Sequence, residues 1–266
     1  MDRLMILQLE AGGCSAEVQL NGMPIAWLGA AGGRICVPVH EYALAGRNQI
    51  TLVACGPIPG MAAASQPRVA SVPTWARATL VLARQGQSPS DANVRQLVSV
   101  EWAAVEGRGF DAPATETREV DLPIGFPRWR WLDAPLLTIG PAVARSIVEF
   151  LQELAVELSR GNPDPLLVAA KLRFDELALA YQMAPADAVQ RFRDQVQRLY
   201  ADKSLKVAPP LMADVVLRPI VGGRLIECLT PLGGPVLRTQ NEDAKLGNQA
   251  WPIRLAMVEG KIYVLR

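Results

Sequence analysis

The segment Phe126-Pro127-Arg128-Trp129-Arg130-Trp131-Leu132-Asp133 places two tryptophans and two arginines at alternate positions. In an extended strand, Trp129 and Trp131 point to one side and Arg128 and Arg130 to the other. Two indoles on one face bury a large area, and Trp with Arg is the composition of interaction hot spots. Such a face suits a protein partner, and stacked indoles also suit a sugar ring. A sealed core between two domains accounts for the same pair, because the segment lies where the chain changes composition. Trp129, Trp131, Arg128 and Arg130 are the candidate partner-binding residues.

Other chemistry is sparser. His40-Glu41 sets a general base beside an acid, and Cys14, Ser15 and Cys36 are nucleophile types. No spacing links them, and a structural His40 explains the same residues. Glu101, Glu106, Asp111, Glu116, Glu119 and Asp121 offer the paired carboxylates that glycoside hydrolysis uses. Solvated strand faces and loop ends also account for all six. Glu227, Arg254 and Tyr263 would line a pocket inside a curved C-terminal sheet. With one histidine in the chain, no His₂ or His₃ metal site and no HExxH helix can form. There is no P-loop, GxGxxG, GxSxG or CxxC, and the glycines of residues 29–33 read as a hairpin tip. No cofactor or metal is implied. The expectation is a non-catalytic binding protein with a protein partner. A carbohydrate-binding protein, or a carbohydrate-active enzyme using two carboxylates, is the alternative.

Composition narrows the partners. The 266 residues carry 27 basic and 26 acidic side chains, a net charge of +1, so no basic excess points to nucleic acid or an anionic membrane. At 50% hydrophobic the chain is too apolar for disorder, and its length fits one large or two modest domains. No window approaches 18 consecutive apolar residues, and the first apolar run breaks at Gln8 and Glu10, too short for a signal peptide. Four widely spaced cysteines in hydrophobic settings read as buried thiols in a reducing cytoplasm. Arginine outnumbers lysine 22 to 5, and the first 135 residues hold eleven Arg and no Lys. Bidentate recognition of acidic groups is one source of that bias, and GC-rich coding is another.

The elements that position these residues fall in two blocks, giving an α+β protein with domains at 1–136 and 137–266. In the first, short apolar and β-branched runs alternate with Gly, Pro and Asn, as in an antiparallel β-sandwich. The runs are 3–9, 16–20, 24–28, 34–39, 48–54, 77–84, 95–105, 117–122 and 129–132. Asn21-Gly22 between two of them is the strongest hairpin signal, since a type I′ turn needs positive φ at both central residues. Residues 56–76 and 86–93 read as long loops, which are often binding surfaces. In the second block, helical spacing predicts three helices. They start near Pro141, Pro165 and Asp187, and antiparallel strands follow over 213–266. Helices followed by such a sheet make an α+β domain.

Val18-Gln19-Leu20-Asn21-Gly22, Val37-Pro38-Val39, Tyr42 and Gly46-Arg47-Asn48-Gln49-Ile50-Thr51-Leu52 together resemble the galactose-binding-like β-sandwich, found as the sugar-binding domain of many glycoside hydrolases. The likeness covers about 40 residues and is a fold motif. It implies a binding domain, with sugar among its ligands, and assigns no catalytic residue. Many relatives only bind, some of them only neighbouring domains.

Overall fold

The computed structural model describes residues 3–62, 64–70, 72–84, 86–91, 93–241 and 248–266. It is a mixed α and β structure that divides into two compact units, Met1–Arg128 and Trp129–Arg266. The division precedes the expected 136/137 boundary. Residues 129–136 bond within the second unit: the Arg130 amide donates to Glu176 at 2.7 Å, and Arg224 donates to the Ala134 carbonyl at 2.6 Å.

The first unit contains β1 (Arg3–Gly12), β2 (Ala16–Leu20), β3 (Met23–Leu28), β4 (Gly33–Pro38), β5 (Gly46–Ala54), β6 (Gln66–Val69), β7 (Trp75–Arg84), β8 (Arg95–Ala103), β9 (Gly109–Ala112) and β10 (Ala114–Leu122). They form two four-stranded antiparallel sheets, ordered β4-β1-β7-β8 and β10-β5-β2-β3, and a separate β6-β9 ribbon. Alternate residues of both sheets meet in one core: Met5, Leu7 and Leu9 from β1, Leu80 from β7, Val18 and Leu20 from β2, Ile50 and Leu52 from β5. Period-two burial of this kind is what fixes register, because a one-residue slip would turn each apolar set to water.

Asn21 and Gly22 take φ of 56° and 76°, and the β2-β3 hairpin turns on them as expected. Beneath the turn, the buried Asn48 amide uses its full capacity. Its Oδ1 accepts from the Leu44 N–H and from Asn21 Nδ2, and its Nδ2 donates to the Leu44 and Gly46 carbonyls. Gly46 has φ +80°, a conformation that favours glycine.

The second unit has four α-helices among its described residues: α1 (Pro141–Ser159), α2 (Asp164–Ala169), α3 (Lys171–Tyr181) and α4 (Pro185–Ala201). The single second helix expected from the sequence is offset at Ala170, although hydrogen bonds from Ala170 to Leu166 and from Phe174 to Ala170 continue across the break. Ile147, Leu151, Leu154 and Leu158 form the buried stripe of α1 and share a core with Ile226, Cys228, Ile253 and Leu255. Strands β11 (Val216–Ile220), β12 (Leu225–Leu229), β13 (Leu237–Arg238), β14 (Ala250–Trp251), β15 (Ile253–Val258) and β16 (Lys261–Val264) follow. The antiparallel sheet runs β11-β12-β15-β16, while β13 pairs with β14. Among the described residues no helix is long and apolar enough to cross a membrane.

Candidate functional site

The Trp/Arg segment does not have the geometry expected of it. Arg130–Leu132 is a single 3-10 turn, not part of a strand. Both indoles are 0% exposed, while Arg128 and Arg130 face solvent. An indole with no exposed surface offers nothing for a partner to contact. The alternation Trp-Arg-Trp, which mimics a two-sided strand, arises here because a tight turn buries the two large apolar groups. The Arg266 guanidinium lies 5.7 Å from the centroid of the Trp129 ring. Arg266 is itself buried and donates to Glu176 Oε2 at 2.6 Å, and the other oxygen of Glu176 receives the Arg130 amide. The segment is therefore tied down by a buried ion pair.

His40 is buried. Its Nε2 accepts the Met5 N–H at 2.7 Å, which joins the 3-10 turn of His40–Tyr42 to β1, and its ring packs edge-on against Phe126 at 5.5 Å. An Nε2 that accepts a backbone proton must be unprotonated, and burial pushes the imidazole down from 6.5 to about 4. The unfolded chain then binds a proton that the native state refuses, so stability is full above pH 6.5 and falls as the pH drops toward 4. The expected loss is about 3 kcal/mol. Urea melts across this range should show a smaller acid-induced loss for His40→Gln than for the wild type, and parallel curves would contradict it.

The six candidate carboxylates are all exposed. Glu101 pairs with Arg77 at 3.0 Å and Glu119 with Arg47 at 3.7 Å. The enzyme reading asks for two acids converging in a cleft, and these six lie open to water. Glu227 and Arg254 do come together, directly opposite on β12 and β15, with a 2.9 Å bond and Arg218 at 3.5 Å on the other flank. One carboxylate between two guanidiniums is neutralised within the sheet. Among the described residues, no group of three or more His, Cys, Asp or Glu side chains could hold a metal ion. All four cysteines are free thiols; Cys14, Cys55 and Cys228 are buried, whereas Cys36 on β4 is exposed, contrary to expectation.

Most of the exposed large apolar residues of the first unit lie on its long loop of residues 56–76, with Val105 on the adjoining segment. Ala70 and Thr74 are joined to the 104–107 segment by bonds from the Ala104 amide to the Thr74 carbonyl and from the Gly107 amide to the Ala70 carbonyl. The β6-β9 ribbon continues this pairing, with Val69 opposite Gly109. Val69, Val72, Trp75 and Val105 all lie on these two adjoining segments, and Val69 and Val105 are each more than 60% exposed. Ile58 and Met61 are exposed on an earlier turn of the same loop. Trp75 is held in place beneath: a Cβ on Gly12 would lie 2.6 Å from its Nε1. Single exposed apolar residues are ordinary, but here several lie on adjoining segments. Sequence reasoning expected a loop here and missed the ribbon, since β6 has four residues and contains Pro67. The isolated valines within a Pro/Ala/Ser-rich stretch were the available signal.

A second apolar surface lies on the helices of the other unit. A cleft of about 550 Å³ is lined by Leu167, Val168, Phe174, Pro185 and Val189. Its rim carries the ion pairs Arg193–Asp164 and Lys171–Asp175, at 2.6 and 2.7 Å. No protein-family model matches the chain, and neither does any curated protein or solved structure.

Proposed function

We propose that the protein is a non-catalytic binding protein whose first unit is a β-sandwich of the galactose-binding-like kind, with a protein partner engaged through its loops. The observation that carries this reading is the run of exposed Val69, Val72, Trp75 and Val105 on two hydrogen-bonded segments. Aliphatic side chains dominate it, and they suit the apolar face of a protein better than the hydroxyl-rich face of a sugar, which needs aromatic platforms and convergent polar groups. The arginines Arg68 and Arg108 border it as exposed polar neighbours, the usual arrangement of an apolar centre with a polar rim. Trp129 and Trp131 take no part in the contact.

The test is capture of a partner from lysate of the source organism by tagged protein. Wild type should retain a stoichiometric protein. Val69→Glu with Val105→Glu should weaken that capture by about tenfold or more, because a charge would be buried without a partner. Both positions are exposed, so the variant should keep the wild-type melting curve. Val168→Glu, in the helical cleft, should bind normally. Equal capture by the double variant, loss of capture by Val168→Glu, or a partnerless protein that binds a glycan would each overturn the assignment.

A further inference from the structure

The two ends of the β4-β1-β7-β8 sheet are treated differently by the sequence. Toward the Trp75 end, arginines meet acids: Arg34 lies opposite Glu10 with a 3.2 Å contact, and Arg77 lies opposite Glu101 with a 3.0 Å contact. At the other end three arginines meet one another. Arg3 on β1 is directly opposite Arg84 on β7, and Arg95 on β8 is opposite Leu82, two residues before Arg84. Opposed residues share a face, as do residues two apart on a strand. That face is the inner one, since Arg3 continues the row of Met5, Leu7 and Leu9, and Arg84 continues the row of Leu80 and Leu82. Like charges placed directly opposite destabilise a sheet. None of the three guanidiniums has an ion pair among the described residues.

The three line a pocket of about 450 Å³ with Leu82, Gln87 and Asn93. Gln87 and Asn93, which follow β7, supply the two amides and are braced by local bonds. Gln87 Oε1 accepts the Arg84 N–H at 3.0 Å, so its Nε2 is left to donate, which it does to Asn93 Oδ1 at 2.8 Å. This relay fixes the Asn93 amide with its Nδ2 as a further donor. Gln8 Nε2 holds the loop to the sheet through the Pro89 carbonyl at 2.6 Å, and Asp91 spends its Oδ2 on the Ser88 N–H. Among the described residues the lining thus offers three guanidinium forks, an amide donor and no carboxylate. Guanidiniums bind phosphate oxygens in bidentate fashion, and a concave group of them focuses potential on an anion.

We propose that this pocket binds the phosphate group of a small soluble molecule, which supplies the negative charge that Arg3, Arg84 and Arg95 lack among the described residues. The volume exceeds that of a bare phosphate and admits a modest phosphorylated ligand. The site does not depend on the proposed partner surface. Arg84 and Trp75 are the two ends of β7, about 30 Å apart at strand rise.

Calorimetric titration with inorganic phosphate and with pyrophosphate, at matched chloride, is the test. Wild type should bind, pyrophosphate more tightly, and its melting temperature should rise with either. The double substitution Arg84→Gln with Arg95→Gln should weaken binding by about tenfold or more. In phosphate-free buffer it should melt no lower than wild type, because it removes like-charge repulsion. Arg77→Gln, which touches only the paired end of the sheet, should bind as wild type does. The proposal is overturned if wild type shows no heat with either anion, if the double variant binds equally, or if only phosphatidylglycerol vesicles bind, which would make the cluster a membrane contact.

Discussion

Replacing Trp129 and Trp131 together with alanine is expected to abolish the cooperative unfolding transition of the second unit. Each indole is fully buried, and truncating a buried Trp costs about 3–5 kcal/mol in lost transfer energy and cavity formation. Two such losses approach or exceed the ~5–15 kcal/mol that holds an ordinary domain together. Either single variant should remain folded with a clearly lower urea midpoint. The measurement is circular dichroism during urea unfolding. A double variant that unfolds at the wild-type midpoint would show that the indoles are not core, and would return them to candidacy as contact residues.

The second large effect concerns the ion pair behind that segment. Glu176→Ala removes the carboxylate that receives both the Arg266 guanidinium and the Arg130 amide, at 2.6 and 2.7 Å. Breaking a buried pair from one side is expected to cost about 3–5 kcal/mol, because the remaining charge stays out of water. Replacing both members, Glu176→Leu with Arg266→Met, should recover most of that loss, since a buried pair and a well-packed apolar pair are often nearly equivalent. The double-mutant cycle should therefore give a large coupling energy. Additive effects of the two substitutions would mean that the 2.6 Å contact carries no stabilisation of its own. Arg266 also faces the Trp129 ring, so the pair and the indole are expected to couple as well.

Much of the first unit was legible in the sequence because its signals are local. The Asn21-Gly22 turn needs positive φ and has it, and β5 alternates Asn48, Ile50, Leu52 and Ala54 inward as period two requires. The errors occurred where a local pattern has two physical solutions. Trp-Arg-Trp satisfies a two-faced strand and also a turn that buries both rings, and only the surrounding packing decides between them. The offset at Ala170 has no Gly or Pro to announce it, and its hydrogen bonds carry on through it. Cys36 sits in an apolar run that reads as core, yet β4 is an edge strand whose residues are mostly exposed.

The two candidate binding surfaces differ in the same way. The loop of residues 56–76 is visible in the sequence as a Pro-rich stretch, but its apolar content becomes a surface only through the bonds of Ala70 and Thr74 to Gly107 and Ala104. The arginine pocket was not legible at all. Arg3, Arg84 and Arg95 are separated by 81 and 11 positions, and they meet only through strand register. The excess of arginine over lysine was visible, but composition has no geometry.

The most direct measurement for the loop surface is site-specific photocrosslinking in cells of the source organism. A photoreactive residue would replace Val69 or Val105 in one set of variants and Val168 in another. Val69 and Val105 should each give a discrete adduct with the same protein, and Val168 should give none. Adducts from Val168 alone, or no adduct from either loop position, would contradict the assignment of partner binding to the sandwich loops.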